Sequence, residues 1–184
     1  MRYNIDAIKE ILRQNPDTEI LYFYGHTPNN KKVTAACLSQ WYDCYFEVDG
    51  TQYHTTEQFM MASKAELFGD IEMLIQIMDA HTPLDYKKLG RRVKGFDPKV
   101  WDEHKLDIVV KANKAKFSQN EGFREFLLST GNAIIAEASP TDKVWGIGLD
   151  RETAVKGGVN KWQGENLLGC ALMEVRDWLN ENAL

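Results

Sequence analysis

Glu57 and Lys64 stand seven residues apart with Met61 between them. On a helix that spacing puts both on one face, two turns apart, where their terminal groups can flank one pocket. A lysine in apolar surroundings gives up its proton more readily, and Phe59, Met60, Met61 and Phe68 supply such neighbours. A neutral amine beside a carboxylate is equipped for nucleophilic attack and for passage through an imine. The same spacing also fits a plainer pair, a glutamate favoured by the helix dipole and a surface lysine.

Two more carboxylates stand where acid–base groups collect. Glu137 ends the apolar run at residues 133–138, and Asp142 opens the Gly-rich stretch TDKVWGIGLD. Asp142 is read as functional, with an Asx-type turn as the alternative. For Glu137 a reacting group and a buried partner for an arginine stand level. Trp145 and Trp162 either stack on a flat group or fill core. Gly146 and Gly148 lack the strand, third glycine and helix of a dinucleotide fingerprint, so no NAD site is inferred. Gly90-Arg91-Arg92 follows a helix end, where a guanidinium grips phosphate or simply complements the dipole. Asn166 precedes a helical run and reads as an N-cap that supports the site's fold.

The elements that must position these groups follow from periodicity and punctuation. Helices are predicted over residues 3–15, from Glu57 with Thr55 or Thr56 as cap, over 71–79, from Pro83 to about 89–90, and over 100–117 behind Asp97-Pro98. Two more cover 121–128 and 167–179. Strands are predicted at 20–24, 45–48 and 51–54, the last two joined by Asp49-Gly50, and at 133–138. The loops TDKVWGIGLD and KGGVNKWQGEN read as too polar for core.

The chain has 184 residues, 43% of them hydrophobic and 27% charged, with five prolines. That composition excludes disorder and predicts one compact domain, 1–184, with an N-terminal helical extension at about 1–16. A net charge of −5 argues against a protein that coats nucleic acid nonspecifically. Residues 86–116 nevertheless carry ten Lys/Arg against four Asp/Glu, which suits a small phosphorylated ligand and equally a solvated helical face. No run of ~20 apolar residues and no signal-peptide core is present, so a cytoplasmic protein without a membrane partner is expected. Cys37, Cys44 and Cys170 are widely spaced and read as reduced packing thiols. His26, His54, His81 and His104 form no i, i+4 pair, and no metal or cofactor is expected.

Four strings carry a family resemblance: TTEQFMMASKA (55–65), KLGRRVKGFDPKVW (88–101), KAKFSQN (114–120) with EASPTDKVWGIGL (137–149), and WQGENLLGCALMEVR (162–176). In this order they resemble the NADAR family, named for its link to NAD and ADP-ribose. The likeness runs from about residue 23 to the C-terminal helix. Residues 1–16 lie outside it, and SQWYDCYF stands where relatives often show an SNFY-like string.

The resemblance implies an α+β, predominantly helical fold with a few short strands, the YbiA-like arrangement, in a single compact domain. It implies an N-glycosidase acting on a phosphorylated ribosylated base, either ADP-ribosylated guanine or a ribosylaminopyrimidine phosphate of riboflavin synthesis. Lys64 matches the family's Schiff-base lysine; in the leading reading of the residues Glu57 and Asp142 share the acid–base and charge-stabilising roles, with Glu137 a further catalytic candidate. Arg91 matches the Gly-Arg pair expected on phosphate. Lys116 falls in the Lys-Phe pair, where a phosphate contact and a solvated lysine stand level. The expected partner is a phosphorylated nucleoside-like small molecule, slightly favoured by the acidic charge, or ADP-ribosylated guanine in nucleic acid. Two other readings stand beside the enzyme: a noncatalytic ADP-ribose or nucleotide-binding module, and a partner-binding helical domain. Lys64 discriminates, since a binding-only pocket has no use for an amine beside carboxylates.

Overall fold

The computed structural model describes residues 2–182. In chain order its elements are α1 (Ile5–Gln14), β1 (Ile20–Phe23), β2 (Phe46–Val48), β3 (Thr51–Tyr53), α2 (Thr56–Leu67), α3 (Ile71–Asp79), α4 (Pro83–Gly90), α5 (Pro98–Gln119), α6 (Glu121–Ser129), β4 (Ile134–Glu137), α7 (Arg151–Gly157) and α8 (Leu167–Glu181). Helix dominates and the strands are short, as an α+β reading requires. The elements fall into two compact units, residues 40–120 and the two flanking stretches, 1–39 with 121–184.

In the 40–120 unit, α2 is the hub. It packs against α3, α4, α5 and β3, and most of its residues from Thr56 to Ala65 are buried. A helix enclosed on nearly every side needs no single apolar stripe. Its start is set by Thr55, whose side chain accepts from the Gln58 N–H. The hairpin β2–β3 pairs Phe46 with Tyr53 and Val48 with Thr51. Its turn uses Asp49 at φ 51° and Gly50 at φ 79°, the two positive φ values a tight hairpin demands. Gln119 then fastens β2 to the end of α5, donating to the Glu47 carbonyl and accepting its N–H, both at 2.8 Å.

In the flanking unit, β1 runs parallel to β4, with Ile20 opposite Ile134 and Phe23 opposite Glu137. The α8 helix packs on β4 and on α6, burying Leu168, Leu172, Val175 and Leu179. Arg176, buried within α8, donates to the Thr130 hydroxyl and the Ala133 carbonyl, both at 2.8 Å. Cys37 and Cys170 here, and Cys44 in the 40–120 unit, are buried and form no disulfide among the described residues, and burial pushes the Cys170 thiol up to about 12.

The glycine-rich loop contradicts its polar sequence. Residues 146–149 are all buried, and Ile147 and Leu149 belong to a core cluster with Ala136, Ala138 and Ala154. Backbone pairing makes this possible. Ile147 N–H donates to the Glu137 carbonyl, and Gln163, Asn166, Leu167 and Leu168 donate in turn to Ile147, Gly146, Val144 and Trp145. Buried backbone groups are thereby satisfied without a regular strand. No described helix is long and apolar enough to cross a membrane.

Candidate active site

Lys64 sits one turn from the end of α2, half-buried. Its Nζ donates to the Gly90 carbonyl oxygen at 2.9 Å. That oxygen belongs to the last turn of α4, where helix carbonyls lack intrahelical partners. Gly90 can lie there because it has no side chain: a Cβ would stand 2.0 Å from Met61 Sδ. The amine lies 4.0 Å from the ring centroid of Phe96 and 5.5 Å from that of Trp101. Burial pushes the Lys64 amine below the usual lysine range.

The apolar surroundings of Lys64 therefore differ from those read off its own helix. Phe59, Met60 and Met61 are buried within the unit. Phe68 contributes indirectly, meeting Phe96 edge-on at 5.4 Å. Phe96 and Trp101, which flank the start of α5, were not picked out from sequence as site residues, although both stand in the string GFDPKVW. The segment that carries Phe96 is pinned by Asp70. Its Oδ1 caps α3 by accepting from Met73 N–H at 3.1 Å, and its Oδ2 accepts from Lys94 N–H at 2.8 Å. The Lys94 and Met73 donors hold the Asp70 carboxyl below the usual carboxylate range.

Arg91 follows Gly90 directly and is exposed. Its backbone N–H completes the turn to the Lys87 carbonyl at 3.2 Å, while its guanidinium meets no carboxylate among the described residues. Arg92 is likewise exposed without an ion pair among the described residues, whereas Lys94 meets Glu72 at 3.0 Å. Arg91 is thus left open to an anion one residue from the Lys64 contact. Glu57 is buried in the first turn of α2, where the helix dipole favours its charge. Lys116 is fully buried, so the solvated-lysine alternative does not hold. Its Nζ lies 5.7 Å from the Tyr42 ring centroid and 5.3 Å from that of Phe117.

The remaining sequence candidates belong to the flanking unit. Asp142 Oδ1 accepts from Val144 N–H at 2.9 Å and Trp145 N–H at 2.8 Å, and the Asp142 carbonyl accepts from Gly148. The Asx turn is therefore formed, and it organises the loop. Glu137 is half-buried at the end of β4. Gly146 is required by close packing, because a Cβ would stand 2.9 Å from the Glu137 carbonyl oxygen. Trp145 is half-buried. Trp162 packs on the core cluster and meets Tyr22 edge-on at 6.3 Å.

Asn166 does not cap α8 with its side chain, as its position before the helix had suggested. It adopts φ 56°, ψ 38° and makes no side-chain cap bond. Its amide instead reaches β4, donating to the Ile135 carbonyl at 2.9 Å and accepting from Glu137 N–H at 3.1 Å. The first N–H groups of α8, from Leu167 and Leu168, are taken by loop carbonyls. Among the described residues no three His, Cys, Asp or Glu side chains gather as a metal site needs.

Comparison with known proteins places this geometry in a family. The NADAR domain model matches residues 22–180, spanning parts of both units and leaving α1 outside. The chain is 45% identical over 161 residues to the N-glycosidase R617 of Acanthamoeba polyphaga mimivirus, covering 85% of this chain and 95% of that protein. It is 32% identical over 133 residues to the N-glycosidase YbiA of Shigella flexneri, covering 72% of this chain and 74% of that protein. The NMR structure of E. coli YbiA matches with a TM-score of 0.72 at 27% identity, covering 89% of this chain and 86% of that one. This chain belongs to the NADAR family.

Proposed function

We propose that this chain is an N-glycosidase that hydrolyses the bond between ribose C1 and a base nitrogen in a phosphorylated ribosylated base. Family membership and 45% identity to a protein named an N-glycosidase support the hydrolase assignment. The observation that carries the mechanism is Lys64: a half-buried amine whose charge burial disfavours, bonded to the carbonyl of Gly90, the residue before the exposed Arg91. Arg91 grips a phosphate of the substrate bidentately and so sets the ribose against the amine.

In the proposed reaction neutral Nζ forms a bond to C1. The C1–N bond breaks, and its electron pair leaves on the base nitrogen, which takes a proton from an acid. The adduct nitrogen loses a proton and expels the ring oxygen, which is protonated, leaving an iminium between Nζ and C1. Water adds to that carbon, the C–Nζ bond breaks, and free sugar and amine result. One water is consumed and nothing is oxidised. Glu57 takes an acid–base role in this scheme. Asp142 is given a share of the acid–base and charge-stabilising work from its place in the loop after β4.

The substrate is either ADP-ribosylated guanine or a ribosylaminopyrimidine phosphate, both of which present a ribose phosphate and a base. Chromatography of released base decides. Wild-type protein should release base from one of the two, and Lys64→Ala should release none. Base release undiminished by Lys64→Ala would overturn the mechanism. Absence of release from both would favour the noncatalytic nucleotide-binding module.

A further inference from the structure

Two aromatic rings stand against the half-buried Lys64 amine. Phe96 and Trp101 stand at 4.0 and 5.5 Å from Nζ, inside the ~6 Å over which a ring face attracts positive charge. Among the described residues Nζ bonds to the Gly90 carbonyl and to no carboxylate, so positive charge there meets ring faces and a dipole. Phe96 is 42% exposed, which leaves its ring open to an incoming molecule. Its orientation is fixed by the edge-on Phe68 contact and by the Asp70 bond to Lys94 N–H.

The proposed reaction removes the cation now held there. Nζ must be neutral to attack, and a neutral amine is no longer drawn to a ring face. At attack distance C1 stands ~3–3.5 Å from Nζ, so the ribose enters the space that the rings face. As the C1–N bond breaks, with its electron pair leaving on the base, positive charge develops on C1 and the ring oxygen. We propose that Phe96 and Trp101 are catalytic residues whose ring faces stabilise this developing ribose cation, taking over from the ammonium they hold at rest. The proposal rests on the N-glycosidase reading above.

Phe96 replaced by mono-, di- and trifluorophenylalanine provides the test, since fluorine weakens the ring's negative face with little change of shape. Single-turnover base release is measured across pH with the guanine-ADP-ribosylated oligonucleotide and the ribosylaminopyrimidine phosphate. The rate on the high-pH plateau should fall stepwise with each fluorine, at unchanged half-saturating substrate. Phe96→Leu should lower it roughly 3- to 30-fold. If the rings only hold the resting ammonium, fluorination destabilises that ammonium, shifting the pH midpoint down and leaving the plateau flat. That outcome, with Lys64→Ala inactive, overturns the ring proposal and leaves the glycosidase reading intact. Wild-type rates in Lys64→Ala overturn the ring proposal together with the lysine mechanism, whereas no base release by the wild-type chain overturns the glycosidase reading itself.

Discussion

Lys64 Nζ donates at 2.9 Å to the carbonyl oxygen of Gly90, the residue immediately before Arg91. One contact therefore ties the proposed nucleophile on α2 to the proposed phosphate grip behind α4. It also gives the amine a place to rest in either protonation state, since ammonium and neutral amine both donate.

A pH dependence follows from the burial of that amine. Lys64 attacks only when neutral, and burial lowers its pKa from the ordinary lysine value, about 10.4 in model peptides. The active form is thus present above the lowered pKa and is lost as pH falls through it. Single-turnover base release should rise with pH on one titration centred below the ordinary lysine value. A midpoint at or above that value would contradict the account.

Arg91 carries the phosphate in this account and makes no ion pair among the described residues whose loss would disturb the fold. Arg91→Ala should raise the half-saturating substrate concentration roughly ten- to a hundred-fold, the cost of losing charge-assisted hydrogen bonds. Its urea midpoint should stay at the wild-type value. The effect should vanish for a substrate analogue lacking phosphate.

The approach of α4 to α2 depends on the missing side chain at Gly90. A Cβ there would stand 2.0 Å from Met61 Sδ, so Gly90→Ala should destabilise the protein by about 1–3 kcal/mol through overpacking. In a Met61→Ala background the same change should cost less, because the sulfur is gone. Equilibrium unfolding of the four variants measures that coupling.

Many local features of this fold were legible in the sequence, and the pairings were not. Thr55 and Asp97 act as caps, Asp49-Gly50 turns the hairpin, and residues 71–79 form a helix as read, because each signal is contained within a few residues. The parallel pairing of β1 with β4 joins segments more than a hundred residues apart, and no local pattern reports it. The loop around Gly146 read as surface because its side chains are polar. It is buried because its backbone groups find partners in residues 163–168. Lys64 was singled out by type, spacing and family likeness, whereas its neighbours Phe96 and Trp101 reach it only through the packing of α2, α4 and α5. Asn166 was read as an N-cap, and its actual partners on β4 were hidden for the same reason.

Borohydride trapping of the iminium tests the central claim most directly. The protein is incubated with guanine-ADP-ribosylated oligonucleotide, and separately with ribosylaminopyrimidine phosphate, reductant is added, and the peptides are analysed by mass spectrometry. The account predicts a stable sugar adduct on Lys64 with one of the two substrates, absent from Lys64→Ala. Base release by the wild-type chain with no adduct at Lys64 under any reducing condition would contradict it.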